Sequence, residues 1–276
     1  MKPYRSFLSD GFDEPAIVAH RGDWSNAPEN SIKAIGAAAD LGVEIAEIDV
    51  QKSSDGVFFL MHDRTLTRVA GRDEVAEALP WTDLSAIPLR DRDGSGPTTD
   101  QMIPSLEAAL DAARGRIYLD VDVKDVAHMP EVAAQIRSSG MADHVDIKID
   151  VQSAQEAATL EDLQRAYGVM VMPKTRFRED TADDLLAILS GLDAAVVETK
   201  FDALQVIGRR VAAFRASGLA VWVNTLDDVA CCELSDSRAR VAPQDVWGAL
   251  MAAGVSIFQT DAVAELQSYR NTLLGR

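Results

Sequence analysis

HRGDWSNAPENS at residues 20–31, AEIDV at 46–50 and FFLMHD at 58–63 decide how this chain folds. Each stretch lies in or directly after a short apolar run, and together they contribute side chains of catalytic type: His20, Glu47, Asp49 and His62. Parallel barrels and sheets place their functional side chains at the carboxyl ends of such strands. The three stretches therefore predict a parallel β/α fold with a functional site at one end.

Short apolar runs alternate with helical patterns along the rest of the chain, which indicates βα units around a parallel sheet. No Gly-x-Gly-x-x-Gly turn follows the first strand, so a (β/α)8 TIM barrel fits better than an open doubly wound sheet. We predict a single α/β domain over residues 1–276. Leaving aside a hairpin at the Asp55-Gly56 turn, the eight predicted strands are 16–20, 45–50, 117–123, 145–149, 169–172, 194–198, 219–223 and 255–259.

A long insertion follows the second strand. Between residues 63 and 103 the periodicity is lost and glycine and proline recur, with one short helix predicted near 74–79. Loops of this length inside a compact domain are usually functional. We therefore interpret 63–103 as a functional excursion rather than an idle connection.

Composition and charge exclude some classes of function. The 276 residues are 47% hydrophobic and carry a net charge of -17, so a general basic surface for nucleic acid is excluded. An anionic substrate remains compatible if a metal ion or a local cluster of cations reverses the field in one pocket. No apolar run has the length of a signal peptide core or a membrane span, and a cytoplasmic protein is expected.

Side chains two residues apart on a strand face the same way. Glu47 and Asp49 therefore share one face, as do Asp120, Asp122 and Lys124 on the third strand. Carboxylates gathered at a barrel mouth repel one another unless a cation neutralises them, which predicts a hard divalent metal such as Mg²⁺ or Ca²⁺. The lack of nearby cysteine argues against a thiolate zinc site.

A metal beside Arg21 and Lys124 would create a positive pocket in an acidic protein, which suits attack at a phosphate ester. His20 and His62 could divide general-base and general-acid work near neutral pH. A simpler interpretation also stands, in which His62 is a turn residue bonded to Asp63.

Several motifs together resemble the glycerophosphodiester phosphodiesterase family. The likeness extends from about residue 15 to 265, and its motifs are HRG at 20–22, PENS at 28–31, EID at 47–49, HD at 62–63, DVDVK at 120–124, VWVNT at 221–225 and GVSIFQTD at 254–261.

The resemblance implies a TIM barrel that hydrolyses glycerophosphodiesters to glycerol 3-phosphate and an alcohol with a divalent metal, Mg²⁺ or Ca²⁺, with Mn²⁺ also compatible. It implies that the insertion caps the barrel mouth and helps to choose the substrate. The residue roles that it implies are His20 and His62 as the acid/base pair, Arg21 and Lys124 at the phosphate, and Glu47, Asp49 and Asp122 on the metal. In the matching VWVNT segment, Trp222 is interpreted as an apolar wall for the glycerol or alcohol part. The segment VVETK shows no family motif, and Glu198 is proposed as a head-group contact only because it lies at a strand end.

Alternatives remain open at this stage. The third metal position is usually Glu in the family and is Asp122 here. The reaction could close a cyclic phosphate, as in sphingomyelinase D-type enzymes, or act on another phosphodiester such as a sugar type, and the barrel could be a binding protein without activity. The alcohol, the metal, the oligomeric state and the roles of Glu198 and Lys174 are not determined.

Overall fold

The computed structural model describes residues 1–10 and 14–276. Its strands are β1 (Ala16–Ala19), β2 (Ile45–Lys52), β3 (Phe58–Leu60), β4 (Pro88–Arg90), β5 (Thr98–Met102), β6 (Tyr118–Val123), β7 (Val145–Asp150), β8 (Met170–Phe177), β9 (Val196–Phe201), β10 (Ala220–Asn224) and β11 (Ile257–Thr260). Its α-helices are α1 (Tyr4–Ser9), α2 (Ile32–Leu41), α3 (Thr67–Ala70), α4 (Trp81–Leu84), α5 (Leu106–Ala113), α6 (Met129–Ser138), α7 (Ala154–Tyr167), α8 (Ala182–Ser190), α9 (Leu204–Gly208), α10 (Val211–Ala216), α11 (Asp236–Val241), α12 (Ala249–Ala252) and α13 (Val263–Leu273).

Eight of these strands close into a parallel barrel in the order β1-β11-β10-β9-β8-β7-β6-β2. The ring closes because β1 pairs with β2 as well as with β11. The ninth strand of the sheet, β3, runs antiparallel to β2 and forms the predicted hairpin, with Val50 opposite Leu60. The predicted (β/α)8 barrel is confirmed.

The chain divides into two compact units, residues 19–147 with Met1, and residues 2–18 with 148–276. In the first unit, α2 begins after Ser31, whose hydroxyl accepts a hydrogen bond from the Ala34 amide at 3.0 Å. It ends at Gly42, which has a left-handed φ of 75°. A serine N-cap and a left-handed glycine satisfy backbone groups that a helix leaves unpaired at its ends.

The insertion at 63–103 contains more regular structure than the sequence predicted. It holds α3, a 3-10 turn at Ala76–Ala78 where the short helix was expected, α4, and the antiparallel pair β4 and β5. Its apolar side chains pack with two from the barrel hairpin into one cluster: Phe59, Met61, Leu66, Val69, Ala76, Leu84, Ile87, Leu89 and Ile103. The insertion is therefore a small packed layer with its own core.

One barrel helix, α6, lies between the third and fourth predicted strands, 117–123 and 145–149, and its bounds were not predicted from the sequence. Its buried residues are Met129, Val132, Ala133 and Ile136. This spacing of three and four is the helical period. The helical period is therefore present in this segment, whose remaining positions are a mixture of polar residues with Pro130 and Ala134.

In the second unit, Asp236 is fully buried at the start of α11. Its carboxylate accepts hydrogen bonds from the hydroxyls of Thr225 at 2.5 Å and Thr260 at 2.7 Å, and from the Asp261 amide at 2.7 Å. Burial raises the pKa of Asp236 to about 6 although these bonds oppose the shift. Asp236 thus joins α11 to the ends of β10 and β11 at an energetic cost in its ionised form.

None of the helices in the described part of the chain combines the length and the apolar character that crossing a bilayer requires.

Candidate active site

The turn after β1 brings the first predicted histidine and arginine to the site. Arg21 and Gly22 both have left-handed φ angles, 57° and 79°. A Cβ on Gly22 would lie 2.6 Å from the carbonyl carbon of Ala34 in α2, so only glycine fits there. The turn directs the Arg21 amide to Glu47 Oε2 at 3.1 Å, and His20 Nε2 lies 4.0 Å from the same oxygen.

Three carboxylates meet where β2 and β6 run side by side. Asp49 is the register partner of Asp122, and Glu47 lies two residues before Asp49 on the same face. One oxygen from each of the three lies within 4.8 Å of the other two. Glu47 and Asp49 are buried. An all-oxygen donor set of this kind suits Mg²⁺, Ca²⁺ or Mn²⁺, so the residues present fit the divalent metal that the sequence predicts.

Cations surround this cluster. Lys124 Nζ lies 2.5 Å from Asp49 Oδ1 and 2.9 Å from Asp122 Oδ2, and Arg21 Nε lies 3.3 Å from Asp49 Oδ2. Burial works to raise the pKa of Asp49, but Lys124 and Arg21 prevail and lower it well below its usual range. The Asp49 carboxylate is therefore ionised and available as a ligand at neutral pH.

Asn30 is a contact of Asp49 that sequence reasoning missed. Its Nδ2 donates to Asp49 Oδ2 at 2.7 Å, and its Oδ1 accepts from the Asp49 amide at 3.0 Å. Asn30 has a φ of 51°, a conformation that asparagine tolerates better than most residues. The PENS motif contained this residue, but nothing in its spacing indicated which strand it would contact.

His62 follows the hairpin strand β3. Its Nδ1 lies 2.8 Å from Asp63 Oδ1, so the predicted turn contact is present. The side-chain amide of Gln51 donates to the carbonyls of Met61, His62 and Asp63 at 2.9, 3.2 and 2.8 Å. The backbone that carries His62 is thereby fixed to β2. The contact with Asp63 is equally compatible with a structural and with a catalytic histidine.

The second unit contains a separate polar group. Lys148 Nζ lies 3.3 Å from Glu198 Oε2, and Asn224 Nδ2 donates to Glu198 Oε1 at 3.1 Å. The indole N–H of Trp222 donates to Asn224 Oδ1 at 2.9 Å, and the Trp222 side chain has no exposed surface. Lys174 instead lies 3.9 Å from the exposed Asp150. The predicted substrate contacts of Trp222 and Glu198 stay predictions.

The fold and the site define an α/β-barrel protein. Its candidate site is a cluster of three carboxylates with histidine, arginine and lysine side chains beside it. Residues 20–265 match the Glycerophosphoryl diester phosphodiesterase family, and the chain belongs to it.

Curated relatives match over part of their length. The chain is 33% identical over 123 residues to glycerophosphodiester phosphodiesterase 1 of Mus musculus, which is 44% of this chain and 37% of that protein. It is 46% identical over 52 residues to the glycerophosphodiester phosphodiesterase of Caldanaerobacter subterraneus, covering 19% of this chain and 21% of that protein. The alignment thus spans little more than a third of the mouse protein.

Solved structures match over nearly the whole chain. A glycerophosphoryl diester phosphodiesterase from Parabacteroides distasonis superposes with a TM-score of 0.75 at 23% identity, covering 99% of this chain and 93% of that one. An Oleispira antarctica phosphodiesterase in complex with the product sn-glycerol-3-phosphate superposes with a TM-score of 0.65 at 19% identity, covering 92% and 96%. At these identities the likeness shows a common fold.

Proposed function

We propose that this chain hydrolyses glycerophosphodiesters to glycerol 3-phosphate and an alcohol. The observation that carries the proposal is the cluster of Glu47, Asp49 and Asp122, whose oxygens lie within 4.8 Å of one another. His20 Nε2 lies 4.0 Å from Glu47 Oε2, and Met61, the residue before His62, donates its amide to the Asp49 carbonyl at 3.1 Å. Membership of the family supports the reaction class, as does the fold shared with a phosphodiesterase whose product is sn-glycerol-3-phosphate.

Glu47, Asp49 and Asp122 would hold a divalent cation, Mg²⁺ or Ca²⁺, with Mn²⁺ as a substitute. When bound, such an ion supplies Lewis-acid stabilisation of the charge that develops on phosphoryl oxygens. Arg21 and Lys124 add fixed positive charge beside the same carboxylates. Preorganised cations of this kind favour the transition state most when water is excluded from the site.

His20 and His62 would share the proton transfers. Attack on phosphorus forms one P–O bond while the P–O bond to the leaving alcohol breaks. One histidine takes the proton of the attacking water, and the other gives a proton to the departing alkoxide. If a hydroxyl of the glycerol attacks instead, the first step gives a cyclic phosphate, and a water must then open the ring at one P–O bond to give glycerol 3-phosphate. The tautomers of both rings must therefore be controlled, and for His62 the Asp63 carboxylate is the group in position to do so.

The test is a substrate panel with the purified full chain. Glycerophosphodiesters of choline, ethanolamine, inositol and glycerol, together with a sugar phosphodiester, are incubated with the metal-stripped protein and with the Mg²⁺-, Ca²⁺- or Mn²⁺-loaded protein. We expect metal-dependent release of glycerol 3-phosphate, followed by an enzymatic assay and by ³¹P NMR. A cyclic phosphate as the final product would assign the lyase reaction instead. No hydrolysis of any diester with any metal would favour a binding barrel.

A further inference from the structure

Arg68 lies in α3 of the capping insertion, and each of its five guanidinium N–H groups has an acceptor. Nε and Nη2 donate to the two oxygens of Asp63 at 2.8 and 3.0 Å. Nη1 and Nη2 donate to the two oxygens of Glu29 at 2.6 and 2.7 Å, and Nη1 also donates to the Asp93 carbonyl at 2.7 Å. Paired bonds to two carboxylates use the planar fork of arginine, which lysine cannot reproduce.

Each of these two carboxylates has a second partner in the candidate active site. Asp63 Oδ1, which accepts from Arg68, is also 2.8 Å from His62 Nδ1. Glu29 Oε1, which accepts from Arg68, also accepts from Arg21 Nη1 at 2.9 Å. The Arg68 guanidinium therefore contacts both the carboxylate that holds His62, which is Asp63, and the carboxylate that holds Arg21, which is Glu29.

The contact with Asp63 bears on the chemistry of His62. Hydrogen bonds from Arg68 and His62 outweigh partial burial and hold the pKa of Asp63 near 2, with the bond from Arg68 the larger cause. An ionised carboxylate can only accept, so His62 Nδ1 carries the hydrogen and Nε2 is left to exchange protons with substrate.

The contact with Glu29 bears on the position of Arg21. Glu29 is only 4% exposed, and its carboxylate contacts the guanidinium groups of both Arg21 and Arg68. The backbone of this loop is held independently, because the Glu29 amide donates to the Arg92 carbonyl and the Arg92 amide donates to the Ala27 carbonyl. Loss of Arg68 would therefore leave Arg21 as the remaining described side-chain partner of the Glu29 carboxylate while the loop stays attached.

We propose that Arg68 is a positioning residue that fixes the ring of His62 through Asp63 and the guanidinium of Arg21 through Glu29. The insertion then helps to set the catalytic geometry in addition to its predicted capping role. This inference rests on the proposed function for its kinetic consequences. Its structural part, the control of the His62 tautomer, can be measured without any turnover.

The experiment compares Arg68→Met, Arg68→Lys and a matched control, Arg72→Met. Arg72 lies in the same insertion, is exposed and pairs only with Glu74 among the contacts described. Histidine ring nitrogens are labelled with ¹⁵N, and the chain has four histidines, so the His62 signals can be assigned with a His62→Gln variant. Turnover, KM, Mn²⁺ affinity and thermal unfolding are measured on the same samples.

We expect the wild-type protein and Arg72→Met to show His62 protonated at Nδ1, and both Arg68 variants to show a mixed tautomer or a shifted titration. We expect kcat of Arg68→Met to fall by about 10²-fold, the scale of a misplaced catalytic group, with Mn²⁺ affinity unchanged. In an Asp63→Asn background the same substitution should have a smaller effect on kcat, because the relay through Asp63 is already broken.

Three results would overturn the inference: unchanged His62 signals in both Arg68 variants, wild-type kcat in either of them, or full additivity with Asp63→Asn. Should Arg68→Met fail to fold, Arg68→Lys alone decides, since it keeps the charge and loses only the fork. If the wild-type protein hydrolyses no phosphodiester but the His62 signals still respond to Arg68, the proposed function fails and the positioning contact stands.

Discussion

At the scale of single residues, spacing predicted which carboxylates would meet. Strand parity placed Glu47 with Asp49, and the register between β2 and β6 sets Asp49 opposite Asp122. Parity could not predict Glu29, Asn30 or Arg68, because these residues lie in irregular backbone or in a four-residue helix. Their partners depend on how loops fold over the strand ends, which has no period in the sequence.

Metal affinity distinguishes the proposed metal ligands from the proposed acid–base histidines. Glu47→Gln should weaken Mn²⁺ affinity by more than about tenfold, since even the partners of metal ligands cost 10- to 100-fold when removed. His20→Ala and His62→Ala should lower kcat by about 10²- to 10⁴-fold, the usual contribution of acid–base catalysis, with affinity retained. Titration calorimetry and the glycerol 3-phosphate assay measure the two effects.

Glu107→Gln, an exposed carboxylate in the first turn of α5, is the control for this series and should match the wild-type protein. Equal loss of metal in Glu47→Gln and in both histidine variants would show that the histidines are ligands or structural residues.

At the scale of elements, apolar runs were sufficient to predict the barrel strands, because buried parallel strands are apolar on both faces. The insertion was harder to predict. Its helices and turns are four residues long or shorter, so none extends over enough of the sequence to reveal a period. What stabilises them is the cluster they share with Phe59 and Met61, a long-range contact that local patterns do not encode.

Replacing glycine by alanine should change the stability of the fold in opposite directions at Gly22, which contacts α2, and at Gly36, which lies inside α2. Gly22→Ala should destabilise the fold by about 2 to 3 kcal/mol, because the new Cβ would lie 2.6 Å from Ala34 backbone and the φ of 79° disfavours a side chain. Gly36→Ala, inside α2 with its nearest contact 3.7 Å away, should stabilise by about 0.5 to 1 kcal/mol.

Urea unfolding followed by circular dichroism gives both values. Gly36→Ala is the control, because it adds a methyl group where there is space for it. A Gly22→Ala protein as stable as the wild type would contradict the prediction and show that the turn and α2 can move apart at little cost.

At the scale of the whole molecule, charge composition is a poor guide to the site. The net charge of -17 predicts repulsion of anions, yet Arg21 and Lys124 lie directly beside the carboxylate cluster. Composition reports the sum of charges, whereas binding depends on the local field, and only the fold determines which charges are neighbours.

The free energy of unfolding should depend on pH because the pKa of Asp236 differs between the folded and the unfolded protein. Its pKa is raised from 3.8 to about 6 in the folded protein, so folding takes up a proton between these values. The stability that this uptake contributes is complete below pH 4 and is lost as the pH rises through 6, by about 3 kcal/mol at most.

The measurement is the free energy of unfolding of the wild-type protein minus that of Asp236→Asn at pH 4 to 7, which cancels the titration of the other groups. The difference should fall with rising pH and level off above about pH 6.5. Asp184→Asn, at an exposed residue of α8, is the matched control for replacing a carboxylate by an amide. A flat or rising difference for Asp236→Asn would contradict the prediction.

The position of Lys124 between Asp49 and Asp122 has a practical consequence. Because an ammonium group already balances these two carboxylates, a chelator-treated sample should keep its shape and accept a new ion without refolding. Under the proposed function, the same carboxylates would then take up ions chosen for their signals, such as paramagnetic Mn²⁺ for electron spin resonance or a luminescent lanthanide. Spectroscopy on such refilled samples would report on substrate arrival at the phosphate position directly.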